Sequence, residues 1–170
     1  MEFKNHYVLV QLNPMYVQPP ENTLDSLVHG MEMFDAIEFD IRLTKDNHVV
    51  IHHDRSVSID PSKRKDNPTF VELWELDDLL ELGFCSLEML LENKSIQKSV
   101  QEQGKVLIVE SKRPSLKIKE SGGWFARKKH DTHMGALMKR ADELLDQYEI
   151  PKQSAVHYAF HRSMSRAIKV

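Results

Sequence analysis

Short apolar runs separated by segments of helical period set the strongest limit on what this chain can fold into. Residues 8–12, 36–43, 48–53, 106–109 and 154–160 each read as strands, the second through the alternation Ile37-Glu38-Phe39-Asp40-Ile41 and the fourth through Val106-Leu107-Ile108-Val109. Between them, Leu24, Leu27, Val28 and Met31 follow a possible Asn22-Thr23 cap at helical spacing, and further helical signals run over 69–82. Leu87, Leu90 and Leu91 share a face after Ser86, and the spacing from Met134 through Leu137, Ala141 and Leu145 to Tyr148 predicts a helix over 133–148. Parallel neighbours need crossover connections, so this alternation predicts an α/β fold around a parallel sheet, with the βαβ unit recurring four times. Asn13-Pro14, Lys45-Asp46-Asn47 and the polar stretch 56–68 are expected turns and loops.

The 170 residues suffice for one domain with its own core, expected to span 1–170. A single cysteine, Cys85, excludes an internal disulfide and a Cys-based zinc cluster. No apolar run reaches the roughly 20 residues of a membrane span, and the N-terminus does not resemble a signal peptide, so a soluble cytoplasmic protein without a transmembrane segment is expected. A net charge of −3 gives no general attraction to nucleic acid.

Period two places Glu38 and Asp40 on one face of their strand. Two neighbouring acids repel unless a cation or a base sits between them, which suits an oxygen-ligand site for Mg²⁺ or Ca²⁺; an edge strand with a solvated acidic face gives the same pattern. Functional residues of α/β folds gather at the carboxyl ends of strands. Glu38, Asp40, His53, Glu110 and Lys112 all fall at or just past such ends, which predicts one shared site. His52 and His53 point to opposite faces, and spacing selects His53 for that site, leaving His52 as a packed or surface histidine.

Taken in order, Pro20-Glu21-Asn22-Thr23, Glu38-Phe39-Asp40, Thr44-Lys45-Asp46, His53-Asp54 and Glu110-Ser111-Lys112 resemble the motif series of the glycerophosphodiester phosphodiesterase family. Ser86-Leu87-Glu88-Met89-Leu90 is similar to its Thr-Leu-Glu-x-x-Leu helix, and Ala159-Phe160-His161 to its Ser-Phe-Asp. The resemblance implies a TIM-barrel-like (β/α) fold, of which the chain carries about the first four βα units, and a divalent cation, Mg²⁺ or Ca²⁺, held by Glu38, Asp40 and Glu110. It also implies that Lys112 neutralises phosphate and His53 acts as general acid or base, releasing an alcohol and glycerol 3-phosphate from a small glycerophosphodiester.

Two departures accompany it. Where the family carries His-Arg-Gly, ungapped counting from Glu21 finds Leu12-Asn13-Pro14, so one half of the acid/base pair is absent. Weak or lost hydrolysis is one expectation; a non-catalytic module binding cation and phosphate is another, and a relative that forms a phosphodiester or cyclic phosphate is a third. A full barrel needs about 250 residues. The domain is therefore expected to be incomplete at its C-terminus, with a missing second half or assembly with another copy completing it.

Other features have plainer readings. His130 and His133, like His157 and His161, could pair on a transition metal, but spacing at a helix start or strand end is more commonly just polar. Lys112, Arg113, Lys117, Lys119, Arg127, Lys128 and Lys129 surround Gly122-Gly123-Trp124-Phe125, as a solvated basic loop or as a charged flap over a phosphate-bearing ligand or membrane surface.

Overall fold

In the computed structural model, which describes residues 19–57, 70–114 and 127–160, the first described element is a capped helix. Thr23 Oγ1 accepts the Ser26 N–H, Ser26 Oγ accepts the Thr23 N–H, and the two together start α1 (Leu24–Met33), which buries Leu27 and Met31. Strand β1 (Ala36–Leu43) follows, then β2 (Val49–Ile51). A 3₁₀ turn (Val71–Leu73) leads to α2 (Leu76–Glu81), and β3 (Cys85–Ser86) runs into α3 (Leu87–Glu92). Helix α4 (Lys94–Gln101), β4 (Val106–Ser111), α5 (Arg127–Gln147) and β5 (Ala155–Tyr158) complete the order.

Among the described residues the sheet has five strands, in the order β3-β2-β1-β4-β5. β1 pairs in parallel with β4 and β4 with β5, as the alternation of elements predicts. The expectation of a wholly parallel sheet is corrected on the other side, where β2 runs antiparallel to β1 and β3 antiparallel to β2. The reason is the short connection after β1. Asn47 takes a left-handed φ of 65° and the Thr44 N–H bonds the His48 carbonyl at 2.9 Å, a turn far too short for a crossover.

The helical stretch expected over 69–82 is broken instead. The Trp74 N–H closes on the Val71 carbonyl, and α2 starts afresh at Leu76, whose N–H is accepted by both Asp46 carboxylate oxygens at 3.2 Å from across the molecule. Helix α4, not anticipated from the sequence, is nucleated by Asn93, whose Oδ1 accepts the N–H groups of Ser95 and Ile96. The strand expected at 8–12, the Leu12-Asn13-Pro14 departure, most of the polar stretch 56–68 and the basic segment around Trp124 lie outside the described residues. No helix among the described residues is long and apolar enough to cross a membrane.

The two faces of the sheet differ in kind. Ile37, Phe39, Ile41 and Leu43 of β1, with Leu107 and Val109 of β4, point toward the helices and form the main core with Leu27, Met31, Leu90, Ile96, Leu137 and Leu144. Phe39 is wholly buried there, and loss of so large a side chain typically costs about 3–5 kcal/mol. The opposite face carries Glu38, Asp40 and Arg42 on β1 and Glu110 on β4. Beside Arg42, a smaller cluster of Val50, Val57, Val71, Trp74, Leu76 and Leu79 closes that face and brings in Glu72.

Candidate functional site

Strand register assembles the site. Asp40 is paired with Glu110 across β1 and β4, and Glu110 with Tyr158 across β4 and β5. Residues paired across a sheet share a face, so these three side chains form a row, with Glu38 one step below. One carboxylate oxygen each from Glu38, Asp40 and Glu110 lies within 4.8 Å of the others. Asp40 and Glu110 are each only 5% exposed, and β1 is the central strand. A solvated edge strand does not describe this arrangement.

Charge and hydrogen bonding hold the acids together. Lys112 Nζ lies 2.9 Å from Asp40 Oδ1 and 2.6 Å from Glu110 Oε1. Its own N–H continues the ladder to the Ile41 carbonyl, fixing the backbone just past β4. Burial alone would lower the Lys112 pKa, but the bonds to Asp40 and Glu110 outweigh it and raise the value, so the ammonium stays charged. The Tyr158 hydroxyl is 2.9 Å from both Glu38 Oε1 and Glu110 Oε2. A phenol has one proton, so it serves these acceptors in turn, and burial together with the two acids pushes its pKa far up. Burial of the Glu38 carboxyl and the neighbouring Asp40 and Glu110 charges raise its pKa, against the Tyr158 hydrogen bond. Asn22, at a left-handed φ of 58°, completes the setting: its Nδ2 donates to Asp40 Oδ2 at 3.2 Å and its Oδ1 accepts the Asp40 N–H.

Hard oxygen donors crowded in this way, with spare carboxylate oxygens beyond those that Lys112 engages, fit a divalent cation of the Mg²⁺ or Ca²⁺ type. The structure brings Glu38, Asp40, Glu110 and Lys112 together in one cluster. His53 follows β2, its side chain is 62% exposed, its Nδ1 lies 2.9 Å from Asp54 Oδ1, and its carbonyl accepts from Arg42 Nη2. His52 is packed, its ring 4.7 Å from that of Phe84 and its Nε2 3.2 Å from the Ser56 carbonyl, with burial lowering its pKa.

Among the remaining histidines, His133 is buried on α5 and His157 Nε2 lies 3.1 Å from Asp142, while His161 and the His130 side chain lie outside the described residues. Three residues of the site escaped the sequence reading: Tyr158, Asn22 and Arg42. Tyr158 had one usable signal, its place at the carboxyl end of a strand. Asn22 was hidden by its position beside a helix cap, and Arg42 by the apolar residues on either side of it.

Comparison with known proteins places the chain. A model of the glycerophosphoryl diester phosphodiesterase family matches residues 13–156. The chain belongs to that family. A glycerophosphodiester phosphodiesterase of Caldanaerobacter subterraneus subsp. tengcongensis is 36% identical to this family member over 64 residues, which cover 37% of the chain and 25% of the relative. A glycerophosphodiester phosphodiesterase structure from Parabacteroides distasonis has a TM-score of 0.65 at 17% identity, covering 91% of this chain and 56% of the other. An Oleispira antarctica phosphodiesterase, solved in complex with the product sn-glycerol-3-phosphate, has a TM-score of 0.61 at 21% identity, covering 89% and 57%. The α/β fold is thus that of the TIM-barrel-like glycerophosphoryl diester phosphodiesterases, and the chain spans 25% of the curated relative's length and 56–57% of these two solved chains.

Proposed function

We propose that this chain acts in metal-dependent hydrolysis of a glycerophosphodiester to an alcohol and glycerol 3-phosphate. The observation that carries the reading is the closed group of Glu38, Asp40 and Glu110 with Lys112 between two of its members. The three acids would hold a divalent cation, Mg²⁺ or Ca²⁺, whose chemistry when bound is to offset negative charge on phosphoryl oxygens. Lys112, kept protonated, supplies a second positive charge at the same place. Tyr158 orients Glu38 and Glu110, and Asn22 orients Asp40.

Hydrolysis forms a P–O bond from water and breaks the one to the alcohol, so one proton leaves the water and one reaches the alcohol oxygen. His53 is the candidate for one of these transfers, since Asp54 at Nδ1 orients the ring and leaves Nε2 for the proton. Leu12 stands where the second histidine is expected and cannot perform the other. A rate lower by about 10² to 10⁴ than that of a site with both groups follows. The same substitution, with the exposed His53 ring, supports a second reading: a module that binds cation and phosphate without turnover. Among the described residues β5 is a sheet edge, where Val156 is 48% exposed, which suits completion of the barrel by further strands or a second copy.

Purified protein incubated with glycerophosphocholine and Mg²⁺ or Ca²⁺ tests the first reading, with phosphorus NMR separating glycerol 3-phosphate from a cyclic phosphate. Release that vanishes in Glu38→Ala supports hydrolysis. Calorimetric binding of cation and glycerol 3-phosphate without any release supports the module.

A further inference from the structure

A cleft of about 310 Å³ opens beside the acid cluster, lined by Arg42, Arg55, Lys112 and Arg113 together with Glu110, Ser111 and Phe160. Its cations are not equally satisfied. Lys112 is matched by Asp40 and Glu110, and Arg42 by Glu72. Arg55 and Arg113 form no ion pair among the described residues, although the Glu72 carboxylate, already paired with Arg42, also feels the Arg55 charge, which leaves positive charge in excess at this space. Both are presented on anchored backbone: the Arg113 carbonyl accepts from Arg42 Nη1 at 3.1 Å, and the Arg55 carbonyl accepts the Val71 N–H at 3.1 Å. Two buried polar atoms of the lining residues, Arg42 Nε and Ser111 Oγ, also lack a hydrogen-bond partner.

We propose that this cleft seats the alcohol half of the substrate and selects an alcohol bearing its own negative charge, a second phosphate in particular. The proposal rests on the phosphodiesterase reading above, because Glu110 and Lys112 belong both to the cleft and to the acid cluster. A group in the cleft is therefore contiguous with a phosphodiester held at the cluster. The volume accommodates a phosphate with several carbons, more than a lone anion requires. Guanidinium groups match phosphate oxygens in geometry as well as charge, whereas a choline ammonium would meet two like charges.

The test compares glycerophosphocholine, glycerophosphoglycerol and glycerophosphoglycerol phosphate, which share one glycerol 3-phosphate half and differ in the charge of the alcohol. KM for glycerol 3-phosphate release, and calorimetric Kd where turnover is slow, are measured on the full chain with Mg²⁺ present. The diester carrying the extra phosphate is expected to bind about tenfold more tightly than glycerophosphoglycerol at low ionic strength. That ratio should shrink with added salt and approach one in the Arg55→Gln/Arg113→Gln variant. Equal constants for all three diesters overturn the proposal, as does a preference that survives the double variant. Inorganic phosphate competing as tightly as the phosphate-bearing diester also overturns it, since the cleft would then be a free-anion site. Cleavage of glycerophosphoglycerol without a charge preference defeats this inference alone, whereas failure to bind or cleave any diester defeats the phosphodiesterase reading with it.

Discussion

Arg42 and Glu72 form an ion pair, Nη1 to Oε1 at 3.0 Å, with side chains only 3% and 1% exposed. Burial lowers the Arg42 pKa and raises that of Glu72, each against the attraction of the other. Arg42 Nη2 and Nη1 also reach the carbonyls of His53 and Arg113, so one guanidinium ties β1 to the segment after β2 and to the segment after β4.

Removing Glu72 leaves that guanidinium buried and unpaired. Glu72→Ala is expected to lower stability by about 3–5 kcal/mol in urea unfolding followed by circular dichroism. A loss below about 1 kcal/mol would mean that the pair is solvated in solution.

Cation binding at the acid cluster should stabilise the fold. At a cation concentration of about 100 times Kd the gain is about 2.7 kcal/mol, read as a rise in Tm on adding Mg²⁺ or Ca²⁺. Asp40→Asn combined with Glu110→Gln is expected to abolish the rise, and an unaltered rise in that variant would place the cation elsewhere.

Tyr158→Phe keeps the ring and deletes the proton shared by Glu38 and Glu110. Hydrogen bonds to charged groups contribute about 1.5–3 kcal/mol, so cation affinity in calorimetry should fall by about tenfold or more. An unchanged affinity would confine Tyr158 to packing.

Asp46 sets an acid limit on stability. Burial pushes its pKa up, but hydrogen bonds from Thr44 Oγ1 and the Leu76 N–H outweigh this and hold it below the ordinary 3.8. A carboxylate with a depressed folded pKa contributes stability that is fully present above its unfolded value and is lost as pH falls through the folded one. Unfolding free energies measured between pH 6 and pH 2 should therefore decline more steeply below pH 4 in the natural protein than in Asp46→Asn. Equal slopes would remove Asp46 from the account.

The residues that could be read from the sequence were those whose chemistry repeats at a strand period. Glu38 and Asp40 announced themselves by alternation, and Glu110 and Lys112 by following an apolar run. Strand β1 and helices α1 and α5 were legible because each carries its apolar residues on one face. What could not be read depended on contacts distant in sequence. The partners of Tyr158 lie on two other strands, Asn22 reaches Asp40 through an unusual backbone angle, and α2 starts where Asp46 receives it. The antiparallel direction of β2 was decided by a tight turn within a chain whose other strands are joined by long crossovers.

The row of Asp40, Glu110 and Tyr158 also determines which kinds of mutation the site can survive. The position of each of these side chains is set by the count of residues along a strand, so a single deletion within β4 would rotate Glu110 toward the helices and swing Val109 toward the opposite face. Sequence change by substitution can alter such a site gradually, one side chain at a time. Change by insertion or deletion inside β1, β4 or β5 removes it in one step, even where the resulting chain still folds.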